Sequence, residues 1–200
     1  MLRSILLLFL FAAPQSDKKP ASTPDAGDGP VYTASGELKF PEKYREWIFL
    51  TSGVDMSYTA TTDPTHSVFD NVFVNPSAYQ AFLKTGTWPD KTVLILEVRG
   101  AEGASSINKR GHTQSAETPR VEVHVKDSSK DSWTFYGFTN QVSGKPFERT
   151  ASCYTCHQQH AAVDTTFVQF YPTLLGKAKE KGTLSAEYLK ELTPPATPAQ

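Results

Sequence analysis

Cysteine is nearly absent: the chain has two in 200 residues. They stand three apart, at Cys153 and Cys156, and a disulfide across two intervening residues closes too small a loop to stabilise much. A charge excess is lacking as well. The formal net charge is −1, so nothing in the balance points to nucleic acid or to an anionic membrane surface. No apolar run reaches the roughly 20 residues of a membrane-spanning helix. Ile5 to Phe11 is the run that stands out, preceded by Arg3 and followed by Ala12 and Ala13. It has the form of a signal peptide over residues 1–13 and predicts an exported, periplasmic protein without a membrane anchor.

Residues 14–35 are mostly Pro, Ser, Ala, Asp and Gly with few apolar side chains. Such a stretch buries too little surface to offset its ordering entropy, and a disordered linker is expected. The tail 193–200 reads the same way. One folded domain is therefore expected over residues 36–192, long enough for a sizeable core.

Within it the dominant period is two. Ser67 to Val74, Lys91 to Arg99, Arg120 to Lys126 and Ser132 to Phe138 are rich in β-formers and read as strands. Trp47 to Leu50 leads into another, after a short helical turn that Pro41 starts. Asn75 and Pro76 set a helix start, Tyr79, Phe82 and Leu83 form its apolar stripe, and Gly86 closes it. Further helices are expected around Cys153 and over Tyr171 to Lys181. The fold class is α+β, mainly β: an antiparallel sheet with peripheral helices and a C-terminal cofactor segment. The polar stretch from Gly100 to Thr118 reads as a long loop, functional or disordered.

The chemistry concentrates in Cys153-Tyr-Thr-Cys-His157. A thioredoxin-like pair belongs near the start of a βαβ unit, and no such pattern surrounds this one. Zinc needs a fourth ligand; His160 is available, but the spacing is not that of a usual finger. In an exported chain, Cys-x-x-Cys-His reads as covalent attachment of one haem c, each sulfur adding to a vinyl group and His157 supplying the axial nitrogen to iron. Met56 is the one methionine left after the signal peptide, so a His–Met electron carrier has to use it. His66 is the histidine on a plausible distal strand. His160 reads as a surface or hydrogen-bonding residue, and His124, alternating with Val121, Val123 and Val125, as exposed. Arg149 fits a haem propionate, where a guanidinium fork matches a carboxylate. Trp47, Trp88 and Trp133 read as core.

The chain resembles the cytochrome P-460 family and its relative cytochrome c′-beta. The resemblance runs through Tyr44-Arg-Glu-Trp47, Phe73-Val-Asn-Pro76 with Tyr79, Lys84-Thr-Gly86, Asp90 to Glu97 and Trp133-Thr-Phe-Tyr136. It is most specific from Cys153 to His157 with Ala161-Ala162, Asp164, Phe167 and Gln169 to Pro172. The resemblance implies a periplasmic homodimer, a five-coordinate haem on His157, and a distal pocket in the sheet open to small nitrogen ligands. It also implies a role for Asp164 in orienting His157. The family's best-known activity, oxidation of hydroxylamine, goes with a lysine bonded to the porphyrin edge. That position is Leu96 here, and leucine has no nucleophile; Lys91 lies five residues earlier at the strand start. A basic distal residue of some members falls at Asp70. Both departures favour the c′-beta side, whose members carry no lysine bond and have a more apolar pocket that binds nitric oxide. With period two, Leu94, Leu96 and Val98 share a face, as do His66, Val68, Asp70 and Val72. Those faces make an apolar lid with polar intruders. A redox partner is a further possibility the sequence leaves open.

Overall fold

The computed structural model describes residues 27–58, 67–117, 119–130 and 132–193. The signal-peptide stretch, His66 and residues 194–200 of the tail lie outside them. Strands β1 (Leu38–Lys39), β2 (Ile48–Val54), β3 (Val68–Val74), β4 (Val93–Glu102), β5 (Thr113–Gln114), β6 (Arg120–Asp127), β7 (Ser132–Phe138) and β8 (Ser143–Pro146) form one sheet. Its order is β1-β8-β7-β6-β4-β3-β2, with β5 added to the end of β4. Every pairing is antiparallel. Helix α1 (Pro76–Thr85) links β3 to β4, and α2 (Ser152–His160), α3 (Pro172–Lys181) and α4 (Ala186–Glu191) follow the last strand. The fold is thus α+β and mainly β, as expected. Among the described residues no helix is long and apolar enough to cross a membrane.

Both faces of the sheet are covered. On one, Val93, Ile95, Val121, Val123, Val125 and Tyr136 pack beneath Leu38, Phe40 and Tyr44 from the N-terminal region. On the other, Leu50, Val74, Leu94 and Phe135 pack with Phe82 and Trp88, and with Val163, Val168 and Leu174 of the C-terminal segment. A strand buried on both sides reads as a continuous apolar run, which is why Val93, Leu94 and Ile95 are consecutive. Trp88 and Trp133 are core, and Trp47 packs against the first cluster.

Two expected boundaries move. The linker expected over residues 14–35 has its last part folded onto the domain. Asp28 Oδ2 accepts the Ser77 N–H at 2.7 Å, and the Tyr32 hydroxyl donates to buried Asp127 at 2.9 Å. A composition poor in apolar residues hid these contacts, because they are polar and long-range. Asp28 also takes the bond expected of Asn75. Asn75 occupies the N-cap position, but its Oδ1 accepts the Val93 N–H at 2.8 Å and ties the helix entry to β4. The second boundary is the loop from Gly100. β4 continues to Glu102 and pairs with β5, and Arg99 donates to the Ser115 carbonyl at 2.9 Å.

Gly86 ends α1 in the left-handed conformation at φ 76°, the position where a helix favours glycine. A Cβ there would meet the Lys181 Cβ at 2.6 Å and the Thr183 Oγ1 at 2.9 Å. Gly86→Ala is therefore expected to cost more than about 1 kcal/mol, seen as a lower urea midpoint with an unchanged slope.

Candidate haem cleft

Helix α2 brings Cys153 and His157 onto one face at i and i+4, with Cys156 beside them. All three line a cleft of about 540 Å³ between α2 and the sheet, within the usual range for cofactor pockets, roughly 300–1,000 Å³. Both thiols are free and half-buried. The helix carries no buried residue of its own; Tyr154 pins it. Its ring stacks on Phe135 at 4.4 Å and 3° interplanar angle, and its hydroxyl accepts the Phe135 N–H at 3.0 Å.

His157 is oriented by a backbone carbonyl. Its Nδ1 lies 2.8 Å from the Thr165 oxygen, which fixes the proton on Nδ1 and leaves the lone pair on Nε2. Asp164 and Thr165 sit at φ 48° and 57°, between the bridged residues Val163 and Thr166, a turn of the type with two consecutive positive φ values. The turn is fastened by the Thr166 hydroxyl, which donates to the Val163 carbonyl at 2.7 Å and accepts the Trp88 indole N–H at 2.8 Å. Asp164, expected to orient His157, instead pairs with Lys126; it serves through the turn it occupies. Burial lowers the His157 pKa, partly opposed by the Thr165 bond. A lowered pKa favours the neutral imidazole that a metal ligand must be.

The opposing wall comes from five strands. Thr51, Asp70, Val72, Leu94, Leu96, Arg120, Glu122, His124 and Phe135 face the cleft. Leu96 lies between Val72 and Glu122 in register. No lysine lines the cleft among the described residues; Lys91 is bonded to Asp127 at 2.5 Å, at the head of β4.

His124 is the clearest correction. It does not point to solvent but stacks on Phe135 at 3.8 Å and lies 4.9 Å from the His157 ring. Burial, with His157 next to it, holds its pKa well below the ordinary range. The valines that alternate with it fill the first core, so the polar positions of β6 line the cleft. Arg149, placed by sequence at a propionate, is outside the cleft lining. Its guanidinium donates to the carbonyls of Trp133 at 2.5 Å and Lys130 at 3.1 Å, and lies 4.8 Å from the Tyr154 ring. Arg120 is the arginine at the cleft. Met56 also lines it, folded over Gly53 at the end of β2. His160 is at the surface with Glu191. Among the described residues no group of three or more His, Cys, Asp and Glu converges to hold a metal ion.

The residues fit a haem: two thiols and one imidazole on a single helix, opposite a wall where Val72, Leu94, Leu96 and Phe135 stand beside Asp70, Arg120, Glu122 and His124. Tyr58, Glu122 and Arg120 also line this site and had no sequence signal of their own, whereas Phe167 lies in the block that carries the resemblance.

Residues 41–168 match the model of a protein family described as Cytochrome P460. Among curated proteins none matches the chain.

Proposed function

The chain belongs to the cytochrome P-460 family of c-type haem proteins, and from that premise we propose that it is exported and holds one five-coordinate haem that binds small nitrogen species such as nitric oxide. Cys153 and Cys156 hold the haem covalently and His157 is the axial ligand. The iron supplies an open position for a diatomic; the protein's part is to fix His157 and to leave the other side without a competing ligand. The observation that carries this reading is the wall opposite α2, where Leu96 and Val72 line the cleft and no described lysine does. Among the described residues a lysine cross-link, which accompanies hydroxylamine oxidation in the family, has no lysine to use there. Removal of residues 1–13, a periplasmic location and a homodimer complete the proposal.

The test is the mass of the mature protein together with its ferrous absorption spectrum. The proposal expects a haem adduct and an ordinary high-spin c-type spectrum that changes with nitric oxide. A red-shifted Soret band of the kind that names the family would instead require a cross-linked lysine.

A second reading, an electron carrier with a His157–Met56 haem, is favoured by one fact: Met56 lines the same cleft. It is 45% exposed and on the rim, so the proposal expects Met56→Leu to leave the ferric spectrum unchanged. Loss of a low-spin spectrum, with its weak near-infrared thioether band, would establish the carrier.

A further inference from the structure

The wall facing α2 is not uniformly apolar, and its two acids are not equivalent. Val72, Leu96 and Glu122 form one row across β3, β4 and β6; Asp70, Val98 and Arg120 form the next. Residues opposite one another on antiparallel strands share a face about 5 Å apart. Consecutive rows on one face lie about 7 Å apart, two residues along the strand. Asp70, Glu122 and Arg120 all line the cleft with Cys156 and His157.

Glu122 has a cation nearby, with its Oε1 3.8 Å from the Arg120 Nε. Among the described residues Asp70 has no cation or donor in contact: burial raises its pKa, Arg120 opposes this at a distance, and Asp55 and Glu122 reinforce it. Tyr58 lines the same cleft at its rim. A half-buried carboxylate with no donor among the described residues is costly, and the cleft is the space from which a donor can come.

We infer that Asp70 is a specificity-determining residue of the cleft, accepting an N–H or O–H from a neutral nitrogen ligand and excluding anionic ligands. This rests on the haem reading given above. It predicts indifference toward nitric oxide, which carries neither charge nor a donor hydrogen.

The experiment uses the full holoprotein at mildly alkaline pH. The ferric form is titrated with hydrazine and with azide, and the ferrous form with nitric oxide, in wild type, Asp70→Asn and Asp70→Glu. Asp70→Asn is expected to weaken hydrazine binding and tighten azide binding, each by about tenfold, the weight of one charge-assisted hydrogen bond or its loss. Nitric oxide binding stays the same, and Asp70→Glu keeps the wild-type preference. Shifts in one common direction, or none, overturn the assignment of Asp70 while leaving the haem reading intact. A wild-type protein that binds none of the three probes overturns the open-position reading, and this inference with it.

Discussion

Replacing His157 with alanine is expected to abolish the histidine-ligated spectrum while the haem stays attached. On the proposed attachment the two functions are separable because they would use different atoms: thioether bonds to Cys153 and Cys156, and an axial bond to His157 Nε2. The variant should also keep its fold. α2 is held to the sheet by Tyr154 against Phe135, and the turn at Asp164 and Thr165 by Thr166 with Trp88, neither of which needs the imidazole. The missing ring leaves a gap bounded by Phe135 at 4.8 Å and Phe167 at 4.2 Å from the original ring centre. Added imidazole should enter that gap and restore the spectrum. His124 complicates the result, 4.9 Å away in the same cleft. Its stacking on Phe135 holds it in the wall, so His157→Ala and His157→Ala with His124→Phe should have the same spectrum. A single variant that retains the wild-type spectrum would remove His157 as the ligand. A difference between single and double variants would show His124 moving to iron.

How much of this was legible in the sequence depended on whether a feature is local. Cys153 to His157 declares its chemistry within five residues, and the strands declare themselves by alternation. Leu96 was placed by its neighbours in β4, and the structure sets it in the cleft wall with Val72, on the face that period two assigned. His124 was misplaced for a specific physical reason. Alternation says that two faces differ; it does not say which one meets water. In β6 the polar face meets a cleft and the apolar face a second core built by residues from the N-terminal region. Arg149 stands next to the motif in sequence, yet carbonyls of Lys130 and Trp133 claim its guanidinium. The group that orients His157 is a main-chain oxygen, and no side-chain pattern announces a main-chain oxygen. Asp28 closing the start of α1 spans 49 positions, beyond any local pattern.

Glu97 is where substitution should cost most in stability, although it faces away from the cleft. It is 3% exposed, one residue beyond Leu96 and on the opposite side of β4. Its Oε1 accepts Arg99 Nε at 2.7 Å and Asn71 Nδ2 at 3.3 Å, while Oε2 accepts Arg45 Nη2 at 2.7 Å and the Tyr44 hydroxyl. Arg99 is itself only 14% exposed, so Glu97→Ala leaves a largely buried guanidinium without its anion. Breaking a buried pair from one side costs about 3–5 kcal/mol, against a typical total stability of about 5–15 kcal/mol. Replacing both partners, Glu97→Leu with Arg99→Leu, should cost less than the single change, because neither charge is then stranded. Acid should erase the difference. Burial pushes the Glu97 carboxyl up, but the bonds from Arg99, Tyr44 and Arg45 outweigh it and hold the pKa below the ordinary range. A depressed folded pKa contributes stability in full above the unfolded value of about 4.3, and loses it as pH falls through the folded one. Asp127 is depressed as well; burial raises it, and bonds from Lys91, Ser129 and Tyr32 overcome that. It therefore destabilises wild type and variant equally in acid and cancels in the comparison. Urea unfolding of wild type and Glu97→Gln, which keeps the side chain's size, should show the full gap near neutral pH and a shrinking one below about pH 4. A gap that stays constant into acid would mean that Glu97 stabilises the sheet by packing alone, with its charge offset by the cost of burying it.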